Sequence, residues 1–156
     1  MPSGRTHDRI NLVSTAIAGY LAYRWGFSWD DILAFSLGSI IATFWFSPDL
    51  DLRTSRPVKR WGKLSFIWWP YAAIVPHRGI SHIPIIGILT RFGYFFGIVF
   101  LIWLVVRNFL PISIKVSAIF NNPYFLPFIL GVLFADTLHI LADFVYSSSI
   151  KSRSFP

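Results

Sequence analysis

The chain contains no cysteine, no glutamate and a single methionine among its 156 residues. Without cysteine there are no disulfides, thiolate metal sites or cysteine nucleophiles, so a bound metal must be held by nitrogen and oxygen donors. Charge is also scarce. Charged residues make up 13% of the chain against 54% hydrophobic, and the mean hydropathy is +0.58. That leaves too little polar surface to cover a soluble globule of this size. One membrane-embedded domain is the expectation from length and composition. All seven acidic residues are aspartate, and the net charge is +7. The basic residues cluster at the ends of apolar segments, where they meet anionic headgroups or set topology, so membrane lipid is the expected partner and nucleic acid is not.

Four apolar segments are long enough to suggest helical spans: about 7–23, 30–46, 82–106 and 123–146. A span needs about 20 mostly apolar residues. The expected fold is all-α, an integral membrane bundle of about four helices. Thr6, Ser81 and Asn122 stand where N-caps are wanted, and Pro48 closes the second helix. The stretch 66–76, FIWWPYAAIVP, is too short to span and carries two prolines, so it reads as interfacial or re-entrant, with its tryptophans at headgroup level. Residues 1–146 form the domain, and 147–156, YSSSIKSRSFP without its first residue, read as a flexible tail. The N-terminal apolar run carries His7 and Asp8 in its prefix and no clear cleavage site, so it is not taken as a signal peptide. With the N-terminus inside, ten Lys and Arg fall on inner segments, against Arg24, Arg107 and Lys115 outside, which places both termini in the cytoplasm.

This topology brings every histidine to one face. His7 and Asp8 open the first helix, Asp49 and Asp51 follow the second, His77 and His82 precede the third, and His139 and Asp143 lie late on the fourth. Asp136, His139 and Asp143 share one helix face, within about 60° of each other. HxxxD spacing suits an imidazole and a carboxylate on one metal or on adjacent metals, although a hydrogen-bonded structural pair has the same spacing. In an extended SPDLD, Asp49 and Asp51 point to one side. In PHRGISH, Ser81 as a cap leaves free backbone N–H groups for an anion, with Arg78 beside them as a phosphate donor. Arg91 either snorkels or pairs with Asp136, a structural role in both cases.

THDRIN, SPDLD, the basic linker containing WG, HRGISH followed by proline, and the terminal HxxxD together resemble a family of small bacterial metal-binding membrane proteins of unknown function. That family is similar to the LexA-regulated membrane-bound metal-dependent hydrolases, and more distantly to zinc-dependent phospholipase C and the P1-type nucleases. The resemblance implies His7, Asp49, Asp51, His77, His82, His139 and Asp143 as metal ligands, Arg78 near a substrate phosphate, and the bacterial inner membrane as location. The four histidines are fewer than a trinuclear site uses, so one or two ions are expected. Zinc is the first choice, with manganese or iron compatible with the donors. The functional expectation is a phosphoester hydrolase acting on a lipid-linked substrate, with Asp8 or Asp51 as general base. The alternatives are divalent-metal binding or transport without hydrolysis, and a purely structural polar cluster.

Overall fold

The computed structural model describes residues 3–77, 79–110 and 116–153, and all regular structure in them is helical. Arg78 lies outside the described residues. The α-helices are α1 (Gly4–Arg24), α2 (Trp29–Trp45), α3 (Arg56–Arg60), α4 (Trp68–Ile74), α5 (Ile86–Val106), α6 (Val116–Phe120) and α7 (Phe125–Arg153). Short 3-10 turns occupy Pro48–Asp51, Gly62–Ile67 and Ile80–His82. The last helix runs through 147–153, so most of the segment expected as a tail is helical.

Local chemistry sets the α1–α2 hairpin. Ser3, not Thr6, caps α1, its hydroxyl accepting from the Thr6 amide at 3.3 Å. Gly26 turns the chain at φ 85°, a left-handed conformation that costs glycine little. Ser28 caps α2 and donates to the Asp31 carboxylate at 2.6 Å, with Asp30 and Asp31 at the positive end of the helix dipole. The two helices lie antiparallel along a buried polar seam: Asn11 Nδ2 donates to Thr43 Oγ1 at 3.1 Å, and the Thr15 and Ser39 hydroxyls meet at 2.6 Å.

α2 and α7 run in the same direction. Tyr124 donates to Asp30 at one end, and Ser47 meets His139 at the other. Between these ends the backbones touch. A Cβ on Gly38 would lie 2.0 Å from the Phe128 carbonyl oxygen, and one on Gly131 would lie 2.0 Å from that of Phe35. Glycines that admit such an approach are a common device of helices packed in lipid.

Beyond α2 the chain folds back on itself. Phe46, Leu50, Val58, Trp68, Tyr71 and Val75 form a buried cluster that fixes α3 and α4 under the end of α2. Trp68 is thus fully buried rather than at a headgroup surface, while Trp69 is exposed with Arg53 over its ring. Burial raises the Tyr71 phenol above its ordinary pKa, and its hydroxyl meets that of Thr90 at 3.1 Å. α5 starts four residues later than expected, behind Ile85 at φ 68° and without a side-chain cap. Ser81 therefore does not cap α5, and the Gly87 amide is already bonded to the Ile83 carbonyl. Arg91 does pair with Asp136, and it also donates to the Ser81 carbonyl at 2.7 Å.

Polarity is inverted relative to a soluble protein. His7, Asn11, Thr15, Ser39, Arg91 and Asp136 are buried, while Val13, Ile17, Leu33, Leu89, Leu101 and Phe144 are exposed. Among the described residues, three helical stretches are long and apolar enough to cross a membrane: Trp29–Asp51, Ile86–Val106 and Phe125–Ser148. The expectation of four is corrected here. α1 has the length, but His7, Asn11 and Thr15 on its inner face lower its hydropathy.

Gly38→Ala is expected to cost about 1–3 kcal/mol by overpacking, read as thermal unfolding in detergent. Gly93→Ala, with open space at its Cβ, should be neutral or stabilising. Arg91→Ala should cost about 3–5 kcal/mol, because Asp136 is left buried without its partner; the double variant Arg91→Leu/Asp136→Leu should recover most of that loss.

Candidate metal centre

Four ligand-type atoms from three parts of the chain converge at one end of the bundle. Asp49 Oδ1 lies 3.5 Å from His139 Nε2 and 3.8 Å from His82 Nε2. Asp143 Oδ2 lies 3.7 Å from His82 Nε2 and 3.8 Å from His139 Nε2. Tetrahedral ligands at zinc distances stand about 3.3–3.6 Å apart, and two triads that share His139 can each hold an ion, Asp49 with His82 and His139, and His7 with His139 and Asp143. His7 Nε2 adds a fifth donor, 3.3 Å from Asp143 Oδ1, with its ring stacked on His139 at 3.9 Å.

The hydrogen bonding supports a metal. Asp49 Oδ1, His82 Nε2, His139 Nε2 and both oxygens of Asp143 are buried and have no hydrogen-bond partner among the described residues. Leaving five such atoms unpaired in a low-dielectric interior is costly, and a divalent cation satisfies them together. The distal nitrogens, by contrast, are held. Ser47 Oγ lies 3.4 Å from His139 Nδ1, and Ser81 Oγ lies 3.0 Å from His82 Nδ1. Partners of this kind orient a ligating imidazole and direct its other nitrogen to the metal.

A second group adjoins the first. Asp51 accepts from the Ser81 hydroxyl and lies 2.8 Å from His77 Nδ1, and Asp49, Asp51 and His77 can together hold an ion. His77 is the exposed member. SPDLD is not extended as expected but forms a 3-10 turn. With three residues per turn, positions i and i+2 diverge by about 120°. Asp49 accordingly faces α7 while Asp51 faces the 77–82 segment, so one short turn serves two neighbouring groups.

The structure therefore gathers His7, Asp49, Asp51, His77, His82, His139 and Asp143 within one cluster. Asp136 stays outside it, paired with Arg91. Asp8 turns to the basic helix α3, where Arg56 and Arg60 hold its carboxylate at 2.8 and 2.6 Å. Sequence reasoning missed Asn11, Ser47 and the bond from Ser81 to Asp51. Asn11 carried a signal, since it stands one turn after His7 on the same face of α1.

The fold and the cluster define a helical metal-binding protein with a nitrogen and oxygen donor set. The chain belongs to the family described as "Uncharacterized metal-binding protein (DUF2227)", which it matches over residues 2–153. It is also similar to an uncharacterized protein of Aquifex aeolicus (strain VF5), 39% identical over 137 residues that cover 78% of this chain and 95% of the relative. No solved structure matches. Neither description mentions hydrolysis, and the likeness to the LexA-regulated hydrolases and the P1-type nucleases gains no support from these matches.

Elemental analysis of detergent-purified protein should find divalent metal bound. His82→Ala, His139→Ala and Asp143→Ala should each lose the ion of the inner set. Asp8→Ala should retain it, since Asp8 is tied to Arg56 and Arg60.

Proposed function

We propose that this chain is a membrane-embedded metal-dependent hydrolase of a phosphoester, with a lipid-linked substrate and a site that faces the cytoplasm. Zinc is the metal best matched to the inner set, with manganese or iron compatible. One ion is assigned to Asp49, His82, His139 and Asp143, and a second to Asp49, Asp51 and His77. The observation that carries the reading is the convergence of unpartnered buried donors next to a second, partly exposed group that shares Asp49. The inverted distribution of polar and apolar residues supports membrane embedding, and the excess of Lys and Arg on the inner segments supports the orientation.

A bound divalent ion supplies an acidified water and an electrophile for phosphoryl oxygens. The residues do the rest. Asp51, positioned by Ser81 and His77, is the proton acceptor for the attacking water. Asp8 is the poorer candidate, because its carboxylate is engaged by Arg56 and Arg60 of α3. His77, at the exposed edge, marks where substrate enters, at the depth of lipid headgroups.

Transport is less well supported. Below the cluster, Asn11 and Thr43, Thr15 and Ser39, and Arg91 and Asp136 bond to one another and close the bundle.

The test is turnover of phosphoesters, both water-soluble and presented in mixed micelles, by metal-loaded protein. Asp51→Asn should lower kcat by about 10²–10⁴ while the inner ion stays bound. Stoichiometric metal with no turnover of any phosphoester would overturn the hydrolase and leave a metal-binding protein.

A further inference from the structure

The three histidines of the inner cluster differ in how their distal nitrogens are held. Ser47 serves His139 and Ser81 serves His82. His7 Nδ1 is buried with no partner among the described residues. A metal on Nε2 leaves the ring proton on Nδ1, and a ligating histidine almost always donates that proton to a fixed acceptor. An acceptor of matching character stands one turn along α1. Asn11 is 2% exposed, and its Oδ1 is likewise buried without a partner.

The orientation of the Asn11 amide is set by its other contacts. Nδ2 donates to the Ala135 carbonyl at 3.2 Å and to Thr43 Oγ1 at 3.1 Å. A carbonyl only accepts, so the amide nitrogen must face Ala135 and the oxygen must face away from it. His7 and Asn11 line one small cavity, with Thr43 and Ser47 in its wall. The space open there to the centre of a water molecule is about 10 Å³, close to the roughly 10–15 Å³ that one water needs.

We infer that a single ordered water fills this cavity and bridges His7 Nδ1–H to Asn11 Oδ1, which makes Asn11 a positioning residue for a metal ligand. The water accepts from the imidazole and donates to the amide oxygen, and the Ser47 hydroxyl offers a further partner; the Thr43 hydroxyl is already engaged by Asn11 Nδ2 and the Ser39 carbonyl. Each of the three histidines then has an outer partner: a serine for His139, a serine for His82, and an asparagine acting through water for His7. The inference rests on the metal reading above, to which it adds the residue that orients the fifth donor.

Asn11 also links α1 to α2, so a loss of stability alone would not separate the roles. The experiment pairs Asn11→Leu, which removes both the amide donor and the acceptor, with Thr43→Val, which removes a partner of the donor and leaves Oδ1 in place. Zinc affinity is measured by competition with a chromophoric chelator, beside a high-resolution structure of the wild type. Asn11→Leu should weaken zinc about 10–100-fold, Thr43→Val should leave it near wild type, and a water should lie about 3 Å from both His7 Nδ1 and Asn11 Oδ1. An equal loss in both variants, or a wild-type structure without that water, would overturn the inference. Should Asn11→Leu not fold, the wild-type structure decides alone. A wild type that takes up no zinc defeats the metal reading instead, and the water can still be sought in the metal-free protein.

Discussion

The close approach of α2 and α7 is the constraint on which the rest depends. Gly38 and Gly131 each accept a carbonyl oxygen of the other helix where any side chain would collide. Two parallel helices pressed together in this way cannot slide, so the turn after α2 is held beside the second half of α7. Asp49 meets His139 and Asp143 for that reason. α1 completes the arrangement through its polar seam, which places His7 against His139. The precision of the cluster thus derives from helix packing well away from it.

Many polar side chains are buried and many large apolar ones exposed. A buried polar group must find a partner inside the bundle. Most do: serine and threonine hydroxyls bond back to helix carbonyls or across the seam, and Arg91 joins the Ser81 carbonyl to Asp136. The exceptions concentrate where histidine and aspartate converge. Trp68 Nε1, Trp103 Nε1, Arg91 Nε and Asp136 Oδ1 also lack partners among the described residues, but the largest group of unpaired atoms is of ligand type and lies together, as a group that binds an ion would.

Much of this was legible in the sequence because long apolar helices stand out plainly. The apolar runs located α2, α5 and α7, and the alternation of ends placed all the histidines on one face. The cost of charge in an apolar helix left snorkelling or pairing with Asp136 open for Arg91, and the structure has the pair. What stayed hidden was tertiary. Ser81 looks like a cap, and only the fold shows that Ile85 delays α5 and frees Ser81 to bond Asp51. SPDLD looks extended, but the packing of Leu50 into the aromatic cluster winds it into a 3-10 turn. Asp8 looks like a base because nothing in its neighbourhood predicts that α3 will fold back and present two arginines. α1, expected as a span, falls short in hydropathy because of His7, Asn11 and Thr15, which it buries.

The donors of the inner set are drawn from residues 49, 82, 139 and 143. During biosynthesis the N-terminal hairpin can form early, but a nascent chain that stops short of α7 holds only the aspartate and one imidazole of those four. Arg91 likewise finds Asp136 only when α7 arrives. Completion of the inner set is therefore a late event in the life of the polypeptide, coincident with docking of its last helix. An ion held there would clasp the finished bundle, and products truncated before α7 keep only the outer group of Asp49, Asp51 and His77.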